Sequence, residues 1–199
     1  MGRDKALLEW QGRPLIEHAL DKLRRLGAHS RILGTRPDLE RFAPIIRDNF
    51  SGRGPLGGIE AALSVTETQL NLFLPVDLPL LPWQFLRWMV SRAGLTEAAA
   101  TIPRIGDRLQ PLCAIYHRRL LSGIRNSLQR GDAKVTHAVE ESARGVGMRI
   151  DYIDVEAIDA ALGDSAGWPR HGPMHRWFQN LNTPDDLAQS ILEQTPRIH

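Results

Sequence analysis

The stretch Leu72-Phe73-Leu74-Pro75-Val76, halted by Asp77, constrains this chain more than any other segment. A short apolar run without polar alternation suits a parallel strand buried on both faces. Pro75 fits only at the end of such a strand, because it cannot donate to a ladder. A sheet buried on both faces needs helices to cover it, and the flanking sequence supplies them. Leu15, Ile16, Ala19, Leu20, Leu23 and Leu26 fall on one side of a helix over 14–26, with Pro14 in its first turn and Gly27 at its end. Further helices are predicted over 59–65, 82–92, 118–130 and 135–143. Short strands are predicted over 30–33, 45–48, 98–103, 111–116 and 148–155, the third and fourth as an antiparallel hairpin. One or two helical turns fit 38–42. Residues 157–177 show no clean period, and a last helix starts at Thr183-Pro184. Alternation of the two periods marks an α/β fold. The reading is one three-layer α/β domain over residues 1–199 with a mostly parallel, Rossmann-like sheet.

Composition removes several function classes. Of 199 residues, 42% are hydrophobic and 24% charged, enough for a core and unlike a disordered chain. Twenty-five Lys and Arg against 23 Asp and Glu leave a net charge of +2, weak support for nucleic-acid binding. No apolar run reaches the roughly 18 residues of a membrane helix, and a signal peptide is not expected, since Met1 to Lys5 leads into an amphipathic segment. One cysteine, Cys113, excludes an internal disulfide. A reducing cytoplasm is the expected compartment.

Four places could carry chemistry. Asp77 stands at the carboxyl end of the apolar run, where open α/β sheets bind ligands, and Pro75 and Pro79 stiffen it. It reads equally as an anchored oxygen ligand for a hard cation and as a turn aspartate before Pro79. Gly54-Pro55-Leu56-Gly57-Gly58 lies between a strand ending at Asp48 and a helix. Glycines there allow close backbone approach to an anion or a base edge, or simply serve a loop needing unusual backbone angles. It is neither a Walker loop nor a dinucleotide fingerprint. Lys5 enters an ordered segment at once, which admits a positioned role beside that of a surface charge. Asn180 and Asn182 alternate just before the capped last helix, where amides hold either a ligand or loop backbone.

Three other features point away from function. His171 and His175 are four apart, but Gly172-Pro173 forbids the helix that would align them on zinc. Cys113 sits in an apolar strand without a neighbouring histidine, as an inert packing thiol does. Arg24, Arg25, Arg118 and Arg119 read as a solvated face.

Together, Met1-Gly2-Arg3-Asp4-Lys5-Ala6-Leu7-Leu8, Gly12-Arg13-Pro14-Leu15, Asp48, Gly54 to Gly58, Pro75-Val76-Asp77-Leu78-Pro79, Gln110-Pro111-Leu112 and Asn180-Leu181-Asn182-Thr183-Pro184 span nearly the whole chain. Each is weak alone, but their order is specific. In this order they resemble the molybdenum cofactor guanylyltransferases of the nucleotidyltransferase superfamily. The resemblance implies transfer of GMP from MgGTP to molybdopterin with release of pyrophosphate. It implies Lys5 on the nucleotide phosphates, Asp77 as the Mg²⁺ ligand, and Asp48, Gly54 and Gly58 around the nucleotide. Pro111 and Leu112 would shape the pterin side, with Asn180 and Asn182 near the acceptor. Molybdoenzymes or their chaperones are the partners downstream.

The family opens with a strand and a Leu-x-Gly-Gly-x-Ser-x-Arg loop running into Met-Gly, whereas this sequence begins at that Met-Gly. The expectation is a first strand and phosphate loop upstream of Met1; the other reading is a truncated relative with impaired catalysis. Two rival functions accompany this departure. One is a sibling that uses CTP. The other is a catalytically silent nucleotide- or pterin-binding partner that hands cofactor to an apo-enzyme.

Overall fold

The computed structural model describes residues 5–162, 167–168, 174–181 and 186. Its main sheet contains β5 (Leu70–Phe73), β6 (Ala100–Ile105), β7 (Arg108–Leu109), β8 (Ala114–His117) and β9 (Ile150–Asp154). β8 runs antiparallel between β5 and β6, while β9 lies parallel to β6. β5, β6 and β9 therefore share a direction, and β8 is reversed. β6 and β7 close a tight hairpin at Ile105 and Arg108. The expected sheet was mostly parallel; the observed one is mixed, because the predicted hairpin places its second arm inside the sheet.

Alternation along β8 shows why helices cover both sides. Ala114 and Tyr116 enter one core and Cys113 and Ile115 the other. The first core is closed by α2 (Gly54–Val65), α4 (Leu121–Gln129) and α5 (Val135–Gly145). The second is closed by α3 (Trp83–Thr96), α6 (Val155–Leu162) and the aromatic segment 174–178. This is the predicted three-layer arrangement. Phe73 of β5 joins the first core while Leu70 and Leu72 pack on the second. β5 nevertheless departs from the expected strand. Its partner β8 is antiparallel, only Phe73 is buried, and the strand ends before Leu74-Pro75. A proline lacking an N–H cannot extend the ladder, so Asp77 lies in a turn beyond it.

The beginning of the described chain forms a separate layer. A 3-10 turn (Lys5–Leu7) leads into the hairpin of β1 (Glu9–Trp10) and β2 (Arg13–Pro14). Pro14 then sits just ahead of α1 (Leu15–Arg25), whose inner face carries Leu15, Ile16 and Ala19. β3 (Ile32–Leu33) and β4 (Ile45–Ile46) pair in parallel as a two-stranded sheet of their own. Among the described residues no strand joins this sheet to β5.

Two helices differ from expectation. α2 begins at Gly54, so the glycine-rich segment is the helix's first turn and not a loop before it. Pro55 suits that turn because its missing N–H would find no helical partner there. α6 occupies 155–162, where no period was visible. Alanines at 157, 160 and 161 favour helix without marking a face. The helix predicted from Thr183 lies outside the described residues except for Asp186.

α4 and α5 meet where Gly123 faces Ser142. A Cβ on Gly123 would lie 2.4 Å from Ser142 Oγ and 2.8 Å from its Cα. The backbone contact leaves no rotamer that relieves the clash. Gly123→Ala is therefore expected to destabilise the fold by about 1–3 kcal/mol. In a thermal melt this lowers Tm by roughly 2–10 °C; an unchanged Tm would contradict the contact.

Candidate active site

Three segments converge on Asp77. Lys5 Nζ, brought in by the first 3-10 turn, donates to Asp77 Oδ2 at 3.1 Å. The lysine side chain is 50% exposed and the carboxylate 12%. Asp77 is thus a largely buried carboxylate whose cationic partner reaches it from a half-exposed position. From the far end of the chain, Leu181 N–H donates to the Asp77 carbonyl at 3.0 Å. Leu181 is fully buried with Leu8, Trp10 and Leu15, against Leu80. That anchor leaves its neighbour Asn180 exposed beside the turn. Asn182 lies outside the described residues, as do Met1 to Asp4.

The third tether is a residue that sequence reading missed. Lys22 on α1 donates from Nζ to the carbonyls of Leu78 at 2.6 Å and Pro79 at 2.9 Å. Burial lowers its pKa to about 7. The signal was available: Lys22 follows Ala19 by three residues on the face the helix turns inward.

A second group forms around Asp48, two residues after β4. Its carboxylate packs over the first turn of α2. A Cβ on Gly58 would lie 3.6 Å from Oδ1, and one on Gly57 would lie 3.7 Å from Oδ2. Gly58 is buried between Leu33 and Asp48, whereas Gly54 opens the helix with a φ of +58° and is exposed. Oδ1 of Asp48 is buried and has no hydrogen-bond partner. No side chain caps α2 either. An unpaired acceptor and uncapped N–H donors therefore share one corner, a combination that a ligand with both kinds of group would satisfy.

The corner is braced from behind by a network that the sequence did not disclose. Glu60 of α2 is fully buried, and its Oε1 accepts from Arg125 Nε at 2.9 Å and Nη2 at 2.6 Å. Its Oε2 accepts from Asn49 Nδ2 at 3.0 Å. A buried carboxylate needs such partners, and these hold the residue next to Asp48 to both α2 and α4.

Pro111 and Leu112 form a third feature, the turn entering β8. Tyr116 Oη, from a fully buried ring, donates to the Pro111 carbonyl at 2.6 Å, leaving Leu112 exposed. Cys113 is buried, and desolvation pushes its thiol up to about 12. Arg24 and Arg25 pair with Asp21 at the surface. His171 and the side chain of His175 lie outside the described residues. Among the described residues no group of three His, Cys, Asp or Glu side chains could hold a metal ion, and no helix is long and apolar enough to cross a membrane.

The fold is that of the α/β nucleotidyltransferases. It superposes on the crystal structure of molybdopterin-guanine dinucleotide biosynthesis protein A from Archaeoglobus fulgidus with a TM-score of 0.72. The identity is 22%, over 98% of this chain and 95% of that one. It also matches 2-C-methyl-D-erythritol 4-phosphate cytidylyltransferase from Thermus thermophilus. There the TM-score is 0.63 and the identity 16%, over 96% and 94% of the two chains. The chain belongs to the family of the MobA-like NTP transferase domain, which its residues 1–145 match. Among its relatives, the molybdenum cofactor guanylyltransferase of Vibrio cholerae is 31% identical over 94% of this chain and 83% of its own length. That of Pseudomonas aeruginosa strain LESB58 is 33% identical over 94% and 85%. The chain is thus a nucleotidyltransferase by family.

Desolvation raises the pKa of Asp48 above its ordinary 3.8. The folded state then holds a proton where the unfolded chain has released it. Stability contributed at this site falls as pH rises from 3.8 through the raised value, and remains lowered at neutral pH. Asp48→Asn removes that penalty. Solvent on the rest of the carboxylate keeps the gain below about 1 kcal/mol, so Tm at pH 7 should rise by roughly 1–3 °C. The gain should vanish below pH 3.8; paired melts at the two pH values check it.

Proposed function

We propose that this chain transfers GMP from MgGTP to molybdopterin, forming the guanine dinucleotide cofactor and releasing pyrophosphate. The observation that carries the reading is the 3.1 Å pair of Lys5 and Asp77. Two residues 72 positions apart, each matching the family's motif, meet at one point. The relatives, molybdenum cofactor guanylyltransferases by name, support the choice of substrates.

The donor set at Asp77 fits a hard divalent cation. One anchored carboxylate is what Mg²⁺ takes from a protein when nucleotide phosphates and water complete its shell. Asp77 already carries an ammonium at the place a cation would take. Bound there, Mg²⁺ would neutralise phosphate charge and supply electrophilic stabilisation. Lys5 is the partner for the α- and β-phosphate oxygens; its half-exposed stem lets it leave Asp77 for them.

The reaction joins two anions. A terminal phosphate oxygen of molybdopterin attacks the α-phosphorus of GTP. The bond from that phosphorus to the β-phosphate oxygen breaks, and its electron pair leaves with pyrophosphate. No covalent enzyme intermediate is required, so positioning and charge stabilisation are the protein's contribution. Asn180, placed by the Leu181 anchor, orients the acceptor together with Asn182, and the Pro111-Leu112 turn shapes the pterin side.

Asp48, Gly54 and Gly58 form the nucleotide corner. The preference for guanine rests on donor count. A carboxylate offers two acceptor oxygens, and the guanine edge presents N1–H and N2–H together. Cytosine presents only its 4-amino donor. The exposed Gly54 at the start of α2 leaves room for a base on the solvent side of that carboxylate.

The test is pyrophosphate release on mixing the chain with MgGTP or MgCTP, with and without molybdopterin. Release is expected only with GTP and acceptor together. Release with CTP instead would move the reading to the cytidylyl sibling, and nucleotide binding without release would favour the silent partner. Asp77→Asn should abolish Mg²⁺-dependent turnover at an unchanged Tm; full activity in that variant would sink the metal assignment. Lys5→Ala should lower kcat by about 10²–10³-fold, the usual cost of one donor to developing charge.

A further inference from the structure

We propose that Lys22 is a positioning residue for the transfer site, its ammonium fixing the turn that carries Asp77. The inference rests on Asp77 being the cation ligand, as proposed above.

The segment from Leu74 to Pro82 belongs to no helix or strand. It leaves the sheet after Phe73 and enters α3 only at Trp83. Prolines at 75, 79 and 82 remove three of its N–H donors. Its carbonyls must then be satisfied from elsewhere, and three consecutive ones are. Asp77 O takes the Leu181 amide at 3.0 Å. Leu78 O takes Lys22 Nζ at 2.6 Å, and Pro79 O takes the same ammonium at 2.9 Å. Leu78 O also receives the Leu81 amide at 3.3 Å. Lys22 thus clamps the carbonyls of the two residues that follow Asp77.

A packing role alone does not account for a lysine here. The buried face of α1 presents Leu15, Ile16, His18 and Ala19, and at position 22 an unbranched apolar side chain would cover the same surface without desolvating an ammonium. A lysine suits the position because its several donors reach two carbonyls that diverge from one point. The ammonium lies against the Cys113 side of the sheet. It also borders a cavity of about 290 Å³ lined by His18, Asp21, Arg25, Trp83 and Gln84. Leu78 adjoins Asp77, so the position of its carbonyl constrains the backbone from which the carboxylate projects. Displacements of about 1 Å in a reacting geometry cost on the order of 10²-fold in rate.

The readout is the ratio of GTP affinities measured calorimetrically with Mg²⁺ and with EDTA, a quantity independent of turnover. A residue that merely stabilises the fold leaves this ratio unchanged. The wild-type chain should show a Mg²⁺-dependent gain, and Asp77→Asn should show none. Lys22→Met should lose about tenfold of the gain while binding GTP in EDTA as the wild type does. Lys22→Arg, which keeps the charge and several donors and has the adjoining cavity for its extra volume, should restore most of it. In the Asp77→Asn background Lys22→Met should change nothing further. If Lys22→Met does not fold, Lys22→Gln, with its shorter reach, takes its place in every arm. A Lys22 variant with the full Mg²⁺ gain, beside an Asp77→Asn that has lost it, overturns this proposal alone. So does an undiminished Lys22 effect in the Asp77→Asn background. An Asp77→Asn variant with the full gain, or a wild-type chain with none, overturns the reading of Asp77 and this proposal with it.

Discussion

The main chain around Asp77 is held by groups from both ends of the chain, and the arrangement of everything nearby follows from that. Lys5 reaches the carboxylate, Leu181 the carbonyl, and Lys22 the next two carbonyls. All of these partners are distant from Asp77 in sequence. The turn is therefore specified only once α1, the first 3-10 turn and the segment before residue 181 have docked. Its geometry is a product of tertiary structure, which explains how a stretch rich in proline and poor in ladder bonds can present a side chain with definition. The half-exposed Lys5 pairs with the carboxylate, and the part-buried Lys22 binds the main chain that follows it.

The same logic places the second corner. Asp48 follows a two-residue strand, a weak support in itself. Its stiffness comes from Asn49, which is bound to the fully buried Glu60, which Arg125 in turn clamps from α4. This bracing leaves the Asp48 carboxylate with one buried oxygen unmatched. Proteins satisfy nearly all such atoms internally, and Asp48 Oδ1, beside the uncapped start of α2, is one that is not.

Much of this was legible in the sequence, and the parts that were not share a cause. The amphipathic helix at 15–25 follows from its period, the helix expected over 82–92 is observed over 83–96, and the hairpin of β6 and β8 follows from two apolar runs around a polar turn. Lys5, Asp77 and Asp48 could be singled out by residue type and place. Periodicity reports how a residue relates to its neighbours within a few positions, and the remaining features depend on distant ones. That β8 lies reversed between β5 and β6 is decided by pairing across more than forty residues. Glu60 reads as an ordinary helical glutamate until Arg125 arrives. The glycine run looks like a loop because glycine disfavours helix, yet the first turn of a helix tolerates it and Pro55 favours it. In α6 the alanines gave propensity without a face.

The aromatic cluster on α3 has an optical consequence. Trp88, Trp168 and Trp177 surround Phe85, with ring centroids 5.5–5.9 Å apart. Indoles this close couple their transitions, and fixed aromatic packing is what near-ultraviolet circular dichroism detects. Two of the three indoles belong to the stretch leading to Leu181, whose amide holds Asp77. The seating of that stretch on α3 is therefore written into the chain's own absorption, readable without any label and independently of helix content.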